Sequence, residues 1–359
     1  MYKVNFSLDK WNFSVFFNKE DDKDVYEDII YNCVIEKSHK IDAKDLITIN
    51  YINDYDIYNN ILKEITKEKK EVISSFKDEY YDKYQNTFVS KDSNYLIYKT
   101  NDNTFNLICK NYLKRPELIY VIREIYVRLK EDDKSLFLHG NGVEFENMGL
   151  IIAGNSGSGK TTFMFKLFED NDNKSKYLSN DRIFLDQENT ITYFPIPLIL
   201  ANGTAKNNKQ LYEYLNSKDK LYDSNFSKEI LNHGENTVKY PLFKRYIPKI
   251  YENCSVNEKI NFNVMILPKI DYKYNDVEII KEDNYKNLMK ICFTPNDTES
   301  LRKPWILERK TSDEDLANIS EQKLSEITNE NLVYNVFYNP NLEPSYIRKR
   351  VKKEIINNL

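Results

Sequence analysis

At 359 residues the chain has room for about two domains. Its net charge of -4 mixes both signs, which excludes the overall basic field that nucleic-acid binding uses. No apolar run is long enough to span a bilayer, so no membrane partner is expected. The first residues, Met1-Tyr-Lys-Val-Asn-Phe-Ser7, contain no apolar signal core. Cys33, Cys109, Cys254 and Cys292 lie far apart with no C-x-x-C pair. The expectation is a cytoplasmic protein with reduced, structural thiols.

In chain order, residues 1–130 read as a smaller α+β domain. Trp11–Phe17 and parts of 94–107 alternate apolar and polar positions, as half-exposed antiparallel strands do. Tyr58–Phe76 reads as a surface helix through Ile61, Leu62, Ile65, Val72 and Ile73, and its charged run 63–71 as a solvated face. Pro116 opens an amphipathic helix with Leu118, Ile119, Ile122, Ile125, Tyr126 and Leu129 on one side. A domain boundary is expected at 131–134, followed by a second domain over 131–345 and a basic helix over 346–359.

From Ser135 the pattern changes to short strands: 136–139, 142–145 and 148–153. Further strands are expected at 176–179, 182–185 and 191–194, with 187–189 as a hairpin turn. Asp170–Asn173 is a turn cluster, and the polar stretch 203–260 reads as helices and loops. Strands resume at 262–267, 277–280 and 332–337. A helix is capped at Thr311–Glu314, and Ile347, Val351 and Ile355 form a packing stripe on the last one. Hairpins outnumber crossovers, so the fold class is α/β with a mixed sheet.

Six of the eight glycines fall between Gly140 and Gly159. They end in Gly154, Asn155, Ser156, Gly157, Ser158, Gly159, Lys160, Thr161 and Thr162, which fits G-x-x-x-x-G-K-[ST] between a buried strand and a helix. Main-chain amides of such a loop, with the positive end of the helix, form an anion site. Lys160 suits the outer phosphates and Thr161 a magnesium ion. A nucleoside triphosphate is therefore the expected ligand.

His139 ends a strand, and Asp181 lies at a break between two strands. His139 alone reads as a structural histidine or an active-site one, and Asp181 as a turn former or a carboxylate facing a metal or hydroxyl. Asp186 is an alternative metal ligand or a strand-end aspartate. Arg182 pairs with Asp181 or contacts phosphate. Lys269 and Arg302 are surface cations or extra phosphate ligands, and His233-Gly234 reads as a loop.

The stretches Leu138-His-Gly-Asn-Gly through Gly-Ser-Gly-Lys160 and Leu178-Ser-Asn-Asp-Arg-Ile-Phe-Leu185 resemble the HPr kinase/phosphorylase group, of the phosphoenolpyruvate-carboxykinase-like fold. The similarity covers residues 136–185 and is most specific in the interval from His139 to Lys160. It implies His139, Lys160 and Asp181 as active-site positions, Thr161 and Asp181 at magnesium, and Asp181 as proton acceptor from the hydroxyl. It also implies ATP as the nucleotide and a homo-oligomer. Asn180 replaces the first of two aspartates, Thr162 replaces a glutamate, and the glycine-and-arginine signature is missing near 195–204. The layout is therefore closer to relatives that phosphorylate a serine of a peptide or protein, or a small metabolite. An ATPase or nucleotide switch, and a binding protein without turnover, stay open as rivals.

Overall fold

The computed structural model describes residues 1–33, 46–65, 71–76, 79–84, 87–90, 95–110, 117–169, 174–196, 198–201, 204, 207–216, 239–242, 244–292 and 310–359. Pro116, Asp170–Asn173, His233-Gly234 and Arg302 lie outside them. The chain divides into two compact units, Met1–Asp132 with Pro295–Ser312, and Asp133–Thr294 with Asp313–Leu359. The sequence reading instead kept 131–345 continuous and set 346–359 apart.

The first unit is built on a mixed eight-stranded sheet. Its strands are β1 (Tyr2–Leu8), β2 (Trp11–Phe17), β3 (Leu46–Asn53), β4 (Glu71–Phe76), β5 (Glu79–Tyr84), β6 (Thr87–Ser90), β7 (Tyr95–Asn101) and β8 (Thr104–Cys109), ordered β1-β2-β3-β8-β7-β6-β5-β4. α1 (Glu20–Cys33) brings Tyr26 against Phe17 and Tyr51, with the Tyr26 and Tyr51 rings 4.9 Å apart. α3 (Glu117–Asp132) is the expected amphipathic helix. Its Tyr126 meets Trp11 edge-on, and its Lys130 pairs with Asp9 at 2.5 Å.

One expected helix is corrected here. α2 spans Tyr55–Ile65 only, while Val72 and Ile73 lie in β4. The apolar stripe Tyr58, Ile61, Leu62 and Ile65 already covers its patch of core. Beyond it Val72 pairs with Asp82 of β5, and the register shifts at Ile73.

The second unit carries a mixed ten-stranded sheet that divides at one strand. Before the loop come β9 (Leu136–Leu138), β10 (Gly140–Phe145) and β11 (Met148–Ala153); after it come α4 (Lys160–Phe168), β12 (Ser175–Ser179), β13 (Ile183–Leu185) and β14 (Thr190–Tyr193). β15 (Leu198–Ala201) pairs with β16 (Lys239–Leu242) in a separate ribbon, next to α5 (Lys209–Asn216) and α6 (Ile247–Ile250). The rest is β17 (Cys254–Val256), β18 (Lys259–Ile270), β19 (Glu278–Lys281), α7 (Tyr285–Cys292), α8 (Asp313–Asn329), β20 (Val333–Tyr338) and α9 (Pro344–Glu354). Hence the polar stretch 203–260 is not helix and loop alone.

β18 is the hinge of this arrangement. One edge runs parallel to β11 throughout. On the other edge its first residues pair with β14, whereas Met265–Ile270 pair with β20. The leaf β14-β13-β9 thus separates from the main sheet β17-β12-β10-β11-β18-β20. Two antiparallel strand pairs cross the seam, β9 into β10 and β12 into β13. Leu138 faces Ile183 on one side and Gly142 faces Ser179 on the other. The three residues between on each strand, 139–141 and 180–182, face one another.

Phe163, Phe165 and Leu167 of α4 pack with Leu150, Ile152, Val264 and Ile266 on one face of the main sheet, and Ile347, Val351 and Ile355 join them. The C-terminal stripe is core: all three are fully buried. We expect Val351→Ala to cost about 2 kcal/mol, visible as a lower urea midpoint at unchanged slope. On the opposite face Met265 Sδ meets Cys292 Sγ at 3.9 Å. Burial pushes the Cys254 and Cys292 thiols up to about 12, so both are inert thiols. Among the described residues no helix is long and apolar enough to cross a membrane.

Candidate functional site

The glycine-rich loop leaves the carboxyl end of β11 and re-enters helix at Lys160. Asn155, Ser156 and Gly157 are exposed, while Lys160 is 8% exposed. The chain reverses within a few residues, and two of them carry the strain. Gly157 has φ 81 and Gly159, the residue before α4, has φ 97. Side chains at such angles cost roughly 1–2 kcal/mol, which glycine avoids. Gly159 is also confined by space, since a Cβ there would lie 2.4 Å from Ile270 Cδ1.

The loop is held from within and from the next strands. Ser158 N–H donates to Asn155 O at 3.1 Å, Ile270 N–H to Ser158 O at 3.3 Å, and the Tyr338 hydroxyl to Gly159 O at 3.3 Å. Lys160 bends back over the loop and donates to Gly154 O at 2.8 Å and Asn155 O at 3.3 Å. Burial lowers its pKa, while the nearby Asp181 charge works the other way. The Ser158 hydroxyl oxygen is buried with no hydrogen-bond partner. A buried ammonium held by carbonyls and an unpaired hydroxyl are groups that an anion in the loop would satisfy.

Thr161 and Thr162 follow. The Thr161 hydroxyl donates to Asn180 Oδ1 at 3.0 Å, tying the helix start to the seam where β12 crosses to β13. Thr162 points elsewhere: its hydroxyl meets that of Thr204 at 3.2 Å, in a buried contact.

Asp181 lies at the seam with φ 68, a left-handed conformation that Asp tolerates better than most residues. Three neighbours fix it. Its N–H donates to Asn141 Oδ1 at 2.9 Å, its Oδ1 is 2.9 Å from His139 Nε2, and its Oδ2 accepts from Arg182 at 3.1 Å. Burial opposes the charged form. The His139 hydrogen bond and the charges of Arg182, His139 and Lys160 outweigh it, leaving the carboxyl at about 2. Yet 43% of the side chain remains exposed, so the carboxylate is both ionised and reachable.

His139 is placed from behind as well, since its N–H donates to Cys292 O of α7 at 2.9 Å. The arrangement brings His139, Asp181, Lys160 and Thr161 to one region. Arg182 takes the pairing role. Asp186 does not join: its Oδ1 accepts from the N–H groups of Glu188 and Thr190 and closes the hairpin turn. Lys269 is exposed, over the Phe337 ring at 4.8 Å. Sequence reasoning missed Asn141 and took Asn180 only as a lost carboxylate. The available signal was an asparagine between the two glycines of Gly140-Asn-Gly142, opposite the Asp181 turn once register is known.

Among the described residues no group of three His, Cys, Asp or Glu could hold a metal by itself. The oxygen donors at hand are the Thr161 hydroxyl, which spends its proton on Asn180 and keeps its lone pairs, and the carboxylate of Asp181, the next residue after that asparagine. That set suits a magnesium ion completed by phosphate oxygens and water, the usual manner for this ion. Neither a scan against protein-family models nor a search of curated proteins finds a match to this chain.

Proposed function

We propose that the chain is an ATP- and magnesium-dependent kinase that moves the γ-phosphoryl group to a hydroxyl, that of a serine in a peptide or protein. One observation carries this reading. Thr161, next to the buried Lys160 of the glycine-rich loop, is hydrogen-bonded to Asn180, next to the ionised and reachable Asp181, so that the cation and the carboxylate act on each other's charge. A loop alone suits any triphosphate binder. The carboxylate beside it is what an acceptor needs.

In this reading residues 154–161 wrap the phosphates, and Lys160 releases Gly154 O and Asn155 O to reach the outer ones. Thr161 and Asp181 would hold a magnesium ion, which would supply charge neutralisation on the transferred group. Asp181 accepts the hydrogen bond of the incoming hydroxyl and aims its oxygen at phosphorus. The new O–P bond forms as the bond to the ADP leaving group breaks, and the hydroxyl proton passes to Asp181. A carboxyl near 2 is a weak base in the free protein, so its first task is orientation. His139 and Arg182 keep the carboxylate from swinging away.

The proposed fold is that of the HPr-kinase-like proteins, and Asn180 and Thr162 favour their peptide or protein kinases over those acting on HPr. Exposure of Asp181 gives water the same access as a hydroxyl, which favours hydrolysis as a second reading. The test is incubation of the full chain with γ-labelled ATP, magnesium and serine-containing peptides. Label on peptide supports the kinase, and label only as free phosphate overturns it in favour of the ATPase.

A companion prediction concerns Asn180. Asn180→Asp adds a charge beside the Thr161 hydroxyl and should lower the magnesium concentration for half-maximal turnover on the order of tenfold. An unchanged magnesium dependence would place the metal away from Thr161.

A further inference from the structure

The two flanks of the loop are unlike. On one, β12, next to β10, runs into Asn180 and Asp181; on the other, β18 and β20 end among aromatic side chains. A triphosphate whose terminal group faces Asp181 sends its nucleoside toward the second flank. We propose that Tyr272 is the platform on which the nucleobase stacks, an inference that rests on the triphosphate reading above.

The turn after β18 is tied to the loop at several points. Ile270 N–H donates to Ser158 O at 3.3 Å, and Asp271 N–H donates to Tyr338 O at 3.1 Å. Tyr338 in turn donates its hydroxyl to Gly159 O. The turn is stiffened by Lys273 N–H on Asp271 Oδ1 at 2.9 Å and by Asn339 Nδ2 on Tyr272 O at 2.9 Å. Tyr272 therefore stands on a fixed backbone two residues from a contact with the loop.

The aromatic neighbours are already engaged. Tyr338 is fully buried and packs edge-on with Phe163 at 5.3 Å, and Tyr274 and Phe337 lie against each other at 5.7 Å. Tyr272 is 62% exposed, the most exposed aromatic side chain among the described residues. An anchored tyrosine with an open ring beside a phosphate loop is what a purine needs. The phosphates are bound by backbone and charge, and the base by a flat apolar surface.

Binding of two probes separates the parts. Inorganic tripolyphosphate with magnesium reports the loop, and the magnesium complex of a non-hydrolysable ATP analogue reports loop and platform together. Calorimetry on the full chain should show the wild type binding the analogue more tightly than tripolyphosphate. Tyr272→Ala should weaken the analogue about tenfold or more and leave tripolyphosphate within about twofold, the range that removal of a base-stacking ring produces. Tyr272→Phe should keep the affinity for both. The platform is overturned if Tyr272→Ala binds the analogue like wild type, weakens both probes alike, or if Tyr272→Phe fails as Ala does. A wild type that binds neither probe overturns the triphosphate reading itself, and the platform with it. The ring is largely in solvent, so folding is not at stake in either variant.

Discussion

Replacing Asp181 by Asn should lower kcat for phosphoryl transfer by about 10²–10⁴-fold, far more than it weakens binding of the magnesium-nucleotide complex. The amide keeps the shape and one oxygen for His139 but cannot take the hydroxyl proton. It also loses the charge that pairs with Arg182 at 3.1 Å and faces Lys160. Calorimetric titration with nucleotide and a single-turnover rate measurement distinguish the two effects. Equal loss of binding and rate would make Asp181 a structural residue of the loop.

The pH dependence follows from the sign of the shift. The Asp181 carboxyl is at about 2 in the folded chain against an ordinary 3.8. Its stabilising contribution is therefore complete above about pH 4 and is lost as pH falls through about 2. For the same reason kcat/KM, which reports the free enzyme, should show no acid limb from Asp181 between about pH 5 and 8. An inflection in that range that disappears in Asp181→Asn would contradict the ion-pair geometry.

Gly149→Ala should be the most damaging single change to stability, costing about 4 kcal/mol or more. β11 and β18 are the central parallel pair, and their register shifts between Gly149 and Leu150. Gly149 N–H bends to Asn263 Oδ1 at 2.8 Å, and the backbones close in so tightly that a Cβ would stand 1.7 Å from Asn261 O. The atoms in the way are backbone and not the end of a flexible side chain, so the strands must part. We expect poor soluble yield or a melting temperature lower by about 10 °C. Gly157→Ala is the control. Nothing lies within 4 Å of a Cβ there, so only the left-handed penalty of about 1–2 kcal/mol applies. Similar losses for the two variants would contradict the close approach of β11 and β18.

The loop was legible because glycine is scarce elsewhere in the chain, and a tight turn concentrates it. Strands such as Met148–Ala153 were legible because burial on both faces produces a continuous apolar run. The division at β18 was not. That strand covers Lys259–Ile270, but its first residues alternate exposed and buried and resemble a separate edge. β16 and β17, of four and three residues, are too short for periodicity to register inside a polar stretch. At the site, Lys160 could be named from motif spacing, and His139 and Asp181 from the resemblance. The asparagines that orient them could not, because Asn141 reaches Asp181 only through cross-strand register, and Asn180 reaches Thr161 across the fold.

A crystal structure of the full chain with magnesium and a non-hydrolysable ATP analogue tests the central claim most directly. The account predicts the terminal phosphorus facing Asp181 across a space for one acceptor oxygen, about 3–3.5 Å from it, with Lys160 moved off Gly154 O onto the phosphates. A phosphate tail bound in the loop but directed away from Asp181, or bound elsewhere altogether, would contradict it.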